Sequence, residues 1–291
     1  MPDPDPPHPL PPGPDTTPPR LGICSVTFRG LPAAEVARRV AEAGLEVVEW
    51  GADVHAPPDC PEALRSARAA ADAHGIACCS YGSYFRCLPD ELSGFAEIAR
   101  GAVTLGAPRI RVWAGGAGSA EAVEEDRART TAILREAALV ARDHGLELGL
   151  EFHGGTLTDS VPSTVRLLED LRAADVDNVT PYWQPPQDAT DPEALAGLDV
   201  LADRVGAVHV FSWWPGNRRL PLSARAGLWT RAFARLTASP RPRDALLEFV
   251  PDDDPAVLAR EATSLRRAAG LDPGRPQGVP DGLGRPHVTL Q

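Results

Sequence analysis

The strongest constraint on this chain is an alternation between short apolar runs and longer segments of helical periodicity. The short runs have the length and composition of buried strands. There are eight of them, at Leu21–Phe28, Leu45–Trp50, Ile76–Tyr81, Arg109–Ala114, Leu146–Phe152, Asn178–Gln184, Ala207–Ser212 and Ala245–Val250. Strands that alternate with helices are typical of βαβ units, in which the strands of one sheet run parallel.

The helical segments often end at a glycine, which is typical of a helix C-cap. The segments are Leu31–Ala43, Pro61–His74, Pro89–Leu105, Ser119–His144, Ser160–Ala174, Asp191–Val205, Ala224–Leu236 and Pro255–Ala269. Eight strand–helix units predict a closed (β/α)8 TIM barrel, an α/β fold, over residues 21–270. An open doubly wound sheet is the alternative, but no GxGxxG turn follows the first strand.

Composition sets the limits around this barrel. Proline dominates residues 1–20, and residues 271–291 are rich in proline and glycine, so both are predicted to be disordered tails. The net charge of -11 argues against nucleic acid as a partner. Five cysteines without a CxxC pair indicate reduced thiols, and no run is long enough to span a membrane. These features predict a soluble cytoplasmic protein.

Ionisable residues gather at the ends of the last four predicted strands. Strand five ends with Glu151 and His153, strand six with Gln184, strand seven carries His209 and strand eight carries Glu248. In TIM barrels the active site forms at the carboxyl ends of the strands. We therefore expect these side chains to share one site.

Side-chain alternation supports this expectation. On strand five, the apolar residues Leu148 and Leu150 should face the helices, which turns Glu151 toward the barrel axis. The same argument turns His209 and Glu248 inward on strands seven and eight. Three strands thus direct a Glu, a His and a Glu at one place.

A divalent cation would satisfy two inward carboxylates and a neutral imidazole. Glu151, Gln184, His209 and Glu248 supply three oxygens and one nitrogen, a set that suits Mn²⁺, with Mg²⁺ or Co²⁺ as alternatives. Other readings stay open. The carboxylates could instead pair with Arg111 on strand four, and Gln184 could serve as a hydrogen-bonding residue.

The chain resembles the sugar phosphate isomerase/epimerase superfamily, the xylose isomerase-like TIM barrels. The markers are VVEWG on strand two, LEFHGGTLTD on strand five, HVFSW on strand seven and LLEFV on strand eight. The resemblance covers roughly residues 21–270. It implies one metal held by a Glu, an Asp, a His and a Glu from four successive strands.

This sequence departs from the family pattern at several positions. Gln184 stands at the Asp position, and Phe211 and Ser212 stand where Lys and Asp are frequent. Pro181 lies inside strand six, where it removes a backbone donor. An amide oxygen can still bind a hard cation, but it lacks the negative charge of a carboxylate. We therefore expect the metal site to have a lower affinity.

The resemblance implies proton transfer next to a carbonyl, with Glu151 and Glu248 as the catalytic pair and an enediolate stabilised by the metal. The product would be an epimer or an isomer of a small polyhydroxy substrate. Substrate contacts are expected from His153, Glu49, Trp113, Trp213 and Arg219, although Glu49 could also serve structural pairing and Arg219 could be an exposed loop cation.

Two other functions remain open at this point. A lyase or dehydratase would use the same enediolate but expel a hydroxyl group. A binding protein with a degenerate metal site would explain Gln184 and the absent Lys–Asp pair. DNA-repair endonucleases of the superfamily use more histidines than these strand ends supply. A homo-oligomer is a further expectation, because dimers and tetramers are common in the family.

Overall fold

Eight parallel strands close into a barrel in the computed structural model, which describes residues 17–238, 241 and 243–272. The barrel strands are β1 (Arg20–Cys24), β2 (Val47–Gly51), β3 (Ala77–Gly82), β4 (Arg109–Val112), β5 (Glu147–Leu150), β6 (Val179–Trp183), β7 (Ala207–Val210) and β10 (Asp244–Leu247). Each pairs with its sequence neighbour in the barrel, and β1 pairs with β10 to close it. The predicted TIM barrel is confirmed.

Helices cover the outside of the barrel. They are α1 (Ala33–Glu42), α2 (Pro61–Ala73), α3 (Phe95–Leu105), α4 (Glu124–Asp143), α5 (Val161–Ala173), α6 (Asp191–Leu201), α7 (Ala226–Leu236) and α8 (Leu258–Ala268). A short antiparallel ribbon, β8 (Ser212–Trp213) with β9 (Arg219–Leu220), follows β7. None of the described helices has the length and apolar character needed to cross a membrane.

Local sequence explains where several helices begin and end. Gly106 and Gly145 follow α3 and α4 with φ values of 70° and 70°, the left-handed conformation that ends a helix. Thr190 caps α6, because its hydroxyl accepts from the Glu193 N–H while the Glu193 carboxylate accepts from the Thr190 N–H. The glycine signals predicted from the sequence are confirmed at these two ends.

The main apolar core lies between the strands and the helices. Outward-facing residues such as Leu148, Leu150 and Val208 belong to it, together with Trp183 and Trp229, whose rings meet edge to face at 5.8 Å. A smaller apolar cluster of Cys24, Val26, Val47, Cys79 and Leu246 stands apart from it. This second cluster includes Cys24, whose thiol lies close to His209.

The amino-terminal end of the barrel is closed by a charged group. Asp244 accepts a hydrogen bond from Arg20 at 2.8 Å and lies 3.5 Å from Arg109. Its carboxyl is buried, and burial raises its pKa above the ordinary value. This end is therefore filled, and open space is left at the carboxyl ends of the strands.

Some predicted boundaries need correction. The first strand ends at Cys24 rather than Phe28, and Ser25–Phe28 form a buried 3-10 turn. The fourth helix begins at Glu124 rather than Ser119. Residues 1–16 and 273–291, which carry most of the predicted disordered tails, lie outside the described residues.

Candidate active site at the carboxyl ends of the strands

The four predicted metal ligands meet around one imidazole nitrogen. His209 Nδ1 lies 3.1 Å from Gln184 Oε1, 3.6 Å from Glu151 Oε1 and 3.6 Å from Glu248 Oε2. These four residues lie in or directly after β5, β6, β7 and β10, which are consecutive around the barrel. The structure thus brings together Glu151, His209 and Glu248, which alternation along the strands turned inward, and places Gln184 beside them.

Backbone hydrogen bonds fix the two carboxylates just beyond their strands. The Glu151 N–H donates to Val112 O at 3.0 Å, and the Glu248 N–H donates to Val210 O at 3.1 Å. Each residue therefore extends the parallel hydrogen-bond ladder with the adjacent strand by one residue beyond the end of its own strand. Because the alternation of faces continues with the ladder, both side chains point into the barrel.

The arrangement of donor atoms fits a divalent cation. Adjacent ligands of a cation with bonds of about 2.1 Å lie about 3.0–3.5 Å apart, which is close to the 3.1–3.6 Å measured from His209 Nδ1. Cys24 also lies here, since its thiol can join His209 and Glu248 with all three donor atoms within 4.8 Å. Cys24 was not among the ligands predicted from the sequence, because it lies on the first strand, far from the others in the chain.

An arginine lies inside the same cluster. Arg111 is only 3% exposed, and it donates to Glu151 Oε2 at 2.8 Å and to Glu49 Oε1 at 3.3 Å. Gly82 leaves space for these side chains, because a Cβ there would lie 2.9 Å from Glu49 Oε1 and 3.0 Å from Arg111 Nη2. The ion pair between Arg111 and Glu151, which the sequence left open as an alternative to metal binding, is therefore present beside His209, Gln184 and Glu248.

Burial and neighbouring charges give the carboxyl groups of Glu151 and Glu248 different pKa values. Burial tends to raise the pKa of Glu151, but the Arg111 charge and His209 outweigh it and lower that pKa to about 2. Burial raises the pKa of Glu248 to about 7. Burial alone would lower the pKa of His209, but Cys24, Glu248 and Glu151 raise it well above the ordinary value.

A cavity of about 520 Å³ opens over Glu151, Gln184 and Glu248. The predicted contacts His153, Trp113 and Trp213 line it, together with the candidate ligands Glu151, Gln184 and Glu248. Aromatic and cationic side chains also line it: Tyr84, Phe152, Phe211, Phe249, Arg29 and Arg111. The space suits a small molecule with apolar faces and polar edges.

Two predicted substrate contacts lie outside this lining. The Glu49 carboxylate is 2% exposed and faces Arg111, so its contacts are those of structural pairing. Arg219 forms an ion pair with Asp253 and stacks 4.5 Å from the ring of Phe249. These two contacts hold the arginine side chain, and it does not line the cavity.

The departures from the family pattern change the character of one wall. Phe211 lines the cavity where a Lys is frequent in the family. Ser212 is buried, and its hydroxyl donates to Leu222 O at 3.1 Å, away from the cavity. The wall next to β7 is therefore aromatic rather than charged.

A closed barrel of eight parallel strands with polar residues converging at their carboxyl ends defines a TIM-barrel protein of the kind that houses active sites there. The family model of the xylose isomerase-like TIM barrel matches residues 37–266. The chain therefore belongs to the xylose isomerase-like TIM barrel family. No curated protein sequence gives a significant match.

Solved structures share the fold at low sequence identity. The probable 3-DHS dehydratase AsbF from Bacillus anthracis has a TM-score of 0.71 at 18% identity, over 84% of this chain and 98% of that one. The 3-keto-D-glucoside 4-epimerase YcjR from E. coli has a TM-score of 0.67 at 17% identity, over 85% and 99%. A xylose isomerase-like protein from Mycobacterium smegmatis in complex with magnesium has 0.64 at 16%, over 87% and 97%.

Proposed function

We propose that this protein is a metal-dependent isomerase or epimerase of a sugar or a related polyhydroxy carbonyl compound. The observation that carries the proposal is the convergence of Gln184, Glu151 and Glu248 within 3.1–3.6 Å of His209 Nδ1, at the floor of a cavity of about 520 Å³. Family membership and the epimerase among the structural neighbours support it.

A divalent cation held by Glu151, Gln184, His209 and Glu248 would supply a positive charge for the oxygens of an enediolate. Mn²⁺ is the ion we favour, and a neighbour's complex with magnesium supports a hard divalent ion. The carboxylates beside His209 are the two candidates for moving the proton next to the carbonyl. Trp113 and Trp213 would stack on the apolar face of the substrate, and His153 would hold a hydroxyl group.

Dehydration is the second candidate function. It uses the same enediolate, from which a neighbouring hydroxyl group leaves as water instead of a proton returning to carbon. The fold shared with the probable 3-DHS dehydratase AsbF supports keeping it.

Metal binding and turnover are tested together. Purified protein is assayed for bound metal and titrated with Mn²⁺, and is then incubated in D₂O with 3-DHS, a 3-keto-D-glucoside, ketopentoses and ketohexoses. We expect one Mn²⁺ per chain and deuterium beside the carbonyl of at least one compound. Epimers or isomers of unchanged composition indicate the first function, and products that have lost water indicate dehydration.

The matched variants are Glu151→Gln and Glu147→Gln. Both residues are glutamates at β5, but Glu147 lies at the opposite end of the barrel, with half of its side chain exposed. We expect Glu151→Gln to lose Mn²⁺ binding and exchange, and Glu147→Gln to keep both. If the wild-type protein neither binds Mn²⁺ nor exchanges deuterium with any compound, the proposal is wrong and a non-catalytic binding protein is the better reading.

A further inference from the structure

We infer that the substrate binds as a closed ring that retains its ketone, between two aromatic walls on opposite sides of the cavity, and that Phe249 is a specificity-determining residue for this shape. The inference rests on the proposed function and names its substrate class. Keto-glycosides and polyhydroxy cyclohexanones or cyclohexenones belong to this class. Simple ketoses do not, because their rings close through the carbonyl group itself.

The first wall consists of Tyr84 and Trp113, which follow β3 and β4. Both residues line the cavity, and their rings meet edge to face with centroids 5.4 Å apart. The Trp113 Nε1–H donates to Glu151 Oε2 at 2.6 Å, and the guanidinium of Arg86 lies 4.3 Å from the centre of the Trp113 ring. The Trp113 ring is therefore held in place by contacts within the protein.

The second wall consists of Phe211, Trp213 and Phe249, which also line the cavity. The ring of Trp213 lies 4.7 Å from that of Phe211 and 5.6 Å from that of Phe249. The guanidinium of Arg219 lies 4.5 Å from the centre of the Phe249 ring. Three aromatic rings in mutual contact thus form one continuous apolar surface.

Phe249 reaches this wall through an unusual backbone conformation. Its φ is 49°, in the left-handed region that bulky residues rarely adopt. Successive residues of an extended strand face opposite sides, yet Glu248 and Phe249 both line the cavity. Phe249 packs against the smaller apolar cluster that contains Cys24, and its N–H donates to Thr27 Oγ1 at 3.0 Å. A strained conformation that neighbouring groups hold in place is typical of functional positions.

The two walls stand opposite each other in the barrel. In the closed strand order β1-β10-β7-β6-β5-β4-β3-β2, β7 lies four strands from β3, and β10 lies four strands from β4. In a ring of eight strands this is the diametrically opposite position. The oxygen atoms of Glu151, Gln184 and Glu248 line the cavity between the walls. The cavity therefore has two apolar sides and a polar floor.

A closed ring fits such a space better than an open chain does. A ring presents C–H groups on its two faces and carries its hydroxyl groups and ketone at the edge, so apolar surface meets both walls while polar groups reach the floor. An open chain turns hydroxyl groups toward the walls, where no hydrogen bond replaces those lost from water. It also loses the freedom of several rotatable bonds on binding, which a ring has already given up.

Two polyols without a carbonyl group test the inference independently of turnover. myo-Inositol and D-glucitol have the same number of carbons and of hydroxyl groups, and they differ in ring closure. Each is titrated calorimetrically into the full-length protein in buffer that contains Mn²⁺. We expect myo-inositol to bind more tightly by about tenfold or more. D-glucitol that binds as tightly as myo-inositol, or myo-inositol that does not bind, would overturn the inference.

Phe249→Asn tests the specificity role of the second wall. The substitution removes the ring and introduces a residue that tolerates the left-handed conformation, so the variant should fold. We expect it to weaken the binding of myo-inositol about tenfold, through the lost ring contact, and to change that of D-glucitol much less. Asp252→Asn is the matched control, because Asp252 is also left-handed, with φ 54°, but is exposed and outside the cavity lining. A folded Phe249→Asn protein that binds myo-inositol like the wild type would overturn the role of Phe249.

The deuterium-exchange panel separates this inference from the proposed function. Exchange confined to ketopentoses and ketohexoses, which must open their rings to expose a carbonyl group, would support the proposed function and overturn the inference. Selective binding of myo-inositol by a protein that exchanges deuterium with no compound would support the ring-shaped site and contradict the proposed function.

Discussion

At the scale of single residues, the site is a problem of charge balance. The carboxylates of Glu49, Glu151 and Glu248 are buried with one guanidinium, that of Arg111. Buried charges are costly unless they are compensated. When the imidazole is neutral, as metal binding requires, three carboxylates face one guanidinium, and one divalent cation would supply the two missing positive charges. The amide of Gln184 keeps this balance, whereas the Asp that is usual in the family would add a negative charge.

Gln184→Asp is therefore expected to bind Mn²⁺ more tightly, by about tenfold, because a charged oxygen replaces a neutral one at the cation. Isothermal titration of both forms measures the change. Gln187→Asp is the matched control. Gln187 lines the same cavity and is exposed, so this substitution adds the same charge without placing it beside His209. Equal dissociation constants for wild-type and Gln184→Asp protein would remove Gln184 from the ligand set.

The predictable part of the site follows from alternation along strands. It placed Glu151 and His209 inside the barrel, and it offered Arg111 as their alternative partner. It could not show that Cys24 and Glu49 reach the same imidazole, because those contacts depend on which side chains meet across the barrel. Contacts made by long side chains in loops, such as that of Arg219 with Asp253, were equally out of reach.

At the scale of elements, the eight strands were predictable because each is a short buried run between helices. The residues at which the strands end were harder to predict. Ser25–Phe28 continue the apolar run of β1 but form a 3-10 turn, and all four are buried, so hydropathy does not distinguish turn from strand. The two-residue strands β8 and β9 are too short for a periodic signal. One of them, β8, carries Trp213 to the cavity wall.

Close pairing of β1 with β2 depends on Gly22. A Cβ at Gly22 would lie 2.3 Å from the carbonyl oxygen of Val47, its partner across the two strands. We expect Gly22→Ala to lower the free energy of unfolding by about 2 kcal/mol or more, as overpacking of a core does. Urea denaturation measures it. Gly30→Ala, with nothing within 4 Å of the added methyl group, should unfold like the wild-type protein.

At the scale of the whole molecule, the candidate ligands come from four of the eight barrel strands. Glu151, Gln184, His209 and Glu248 follow or lie in β5, β6, β7 and β10, which are four consecutive strands. Two of these strands are joined only by a short register, Tyr182 with Ala207 and Trp183 with Val208. A cation bound at this place would hold together strands that must separate when the protein unfolds. Its binding free energy would therefore add to the stability of the barrel.

Mn²⁺ is accordingly expected to raise the midpoint of thermal unfolding in a concentration-dependent way. At a free concentration of about one hundred times the dissociation constant, the gain is about 2.7 kcal/mol. For a domain of this size that corresponds to a rise of several degrees. Calorimetry with and without Mn²⁺ measures it, and chelation should reverse it. His209→Ala should lose the response, because the imidazole lies at the centre of the donor set, while Glu147→Gln should retain it. A wild-type midpoint that does not change with Mn²⁺ would mean that these strands are not joined through a metal.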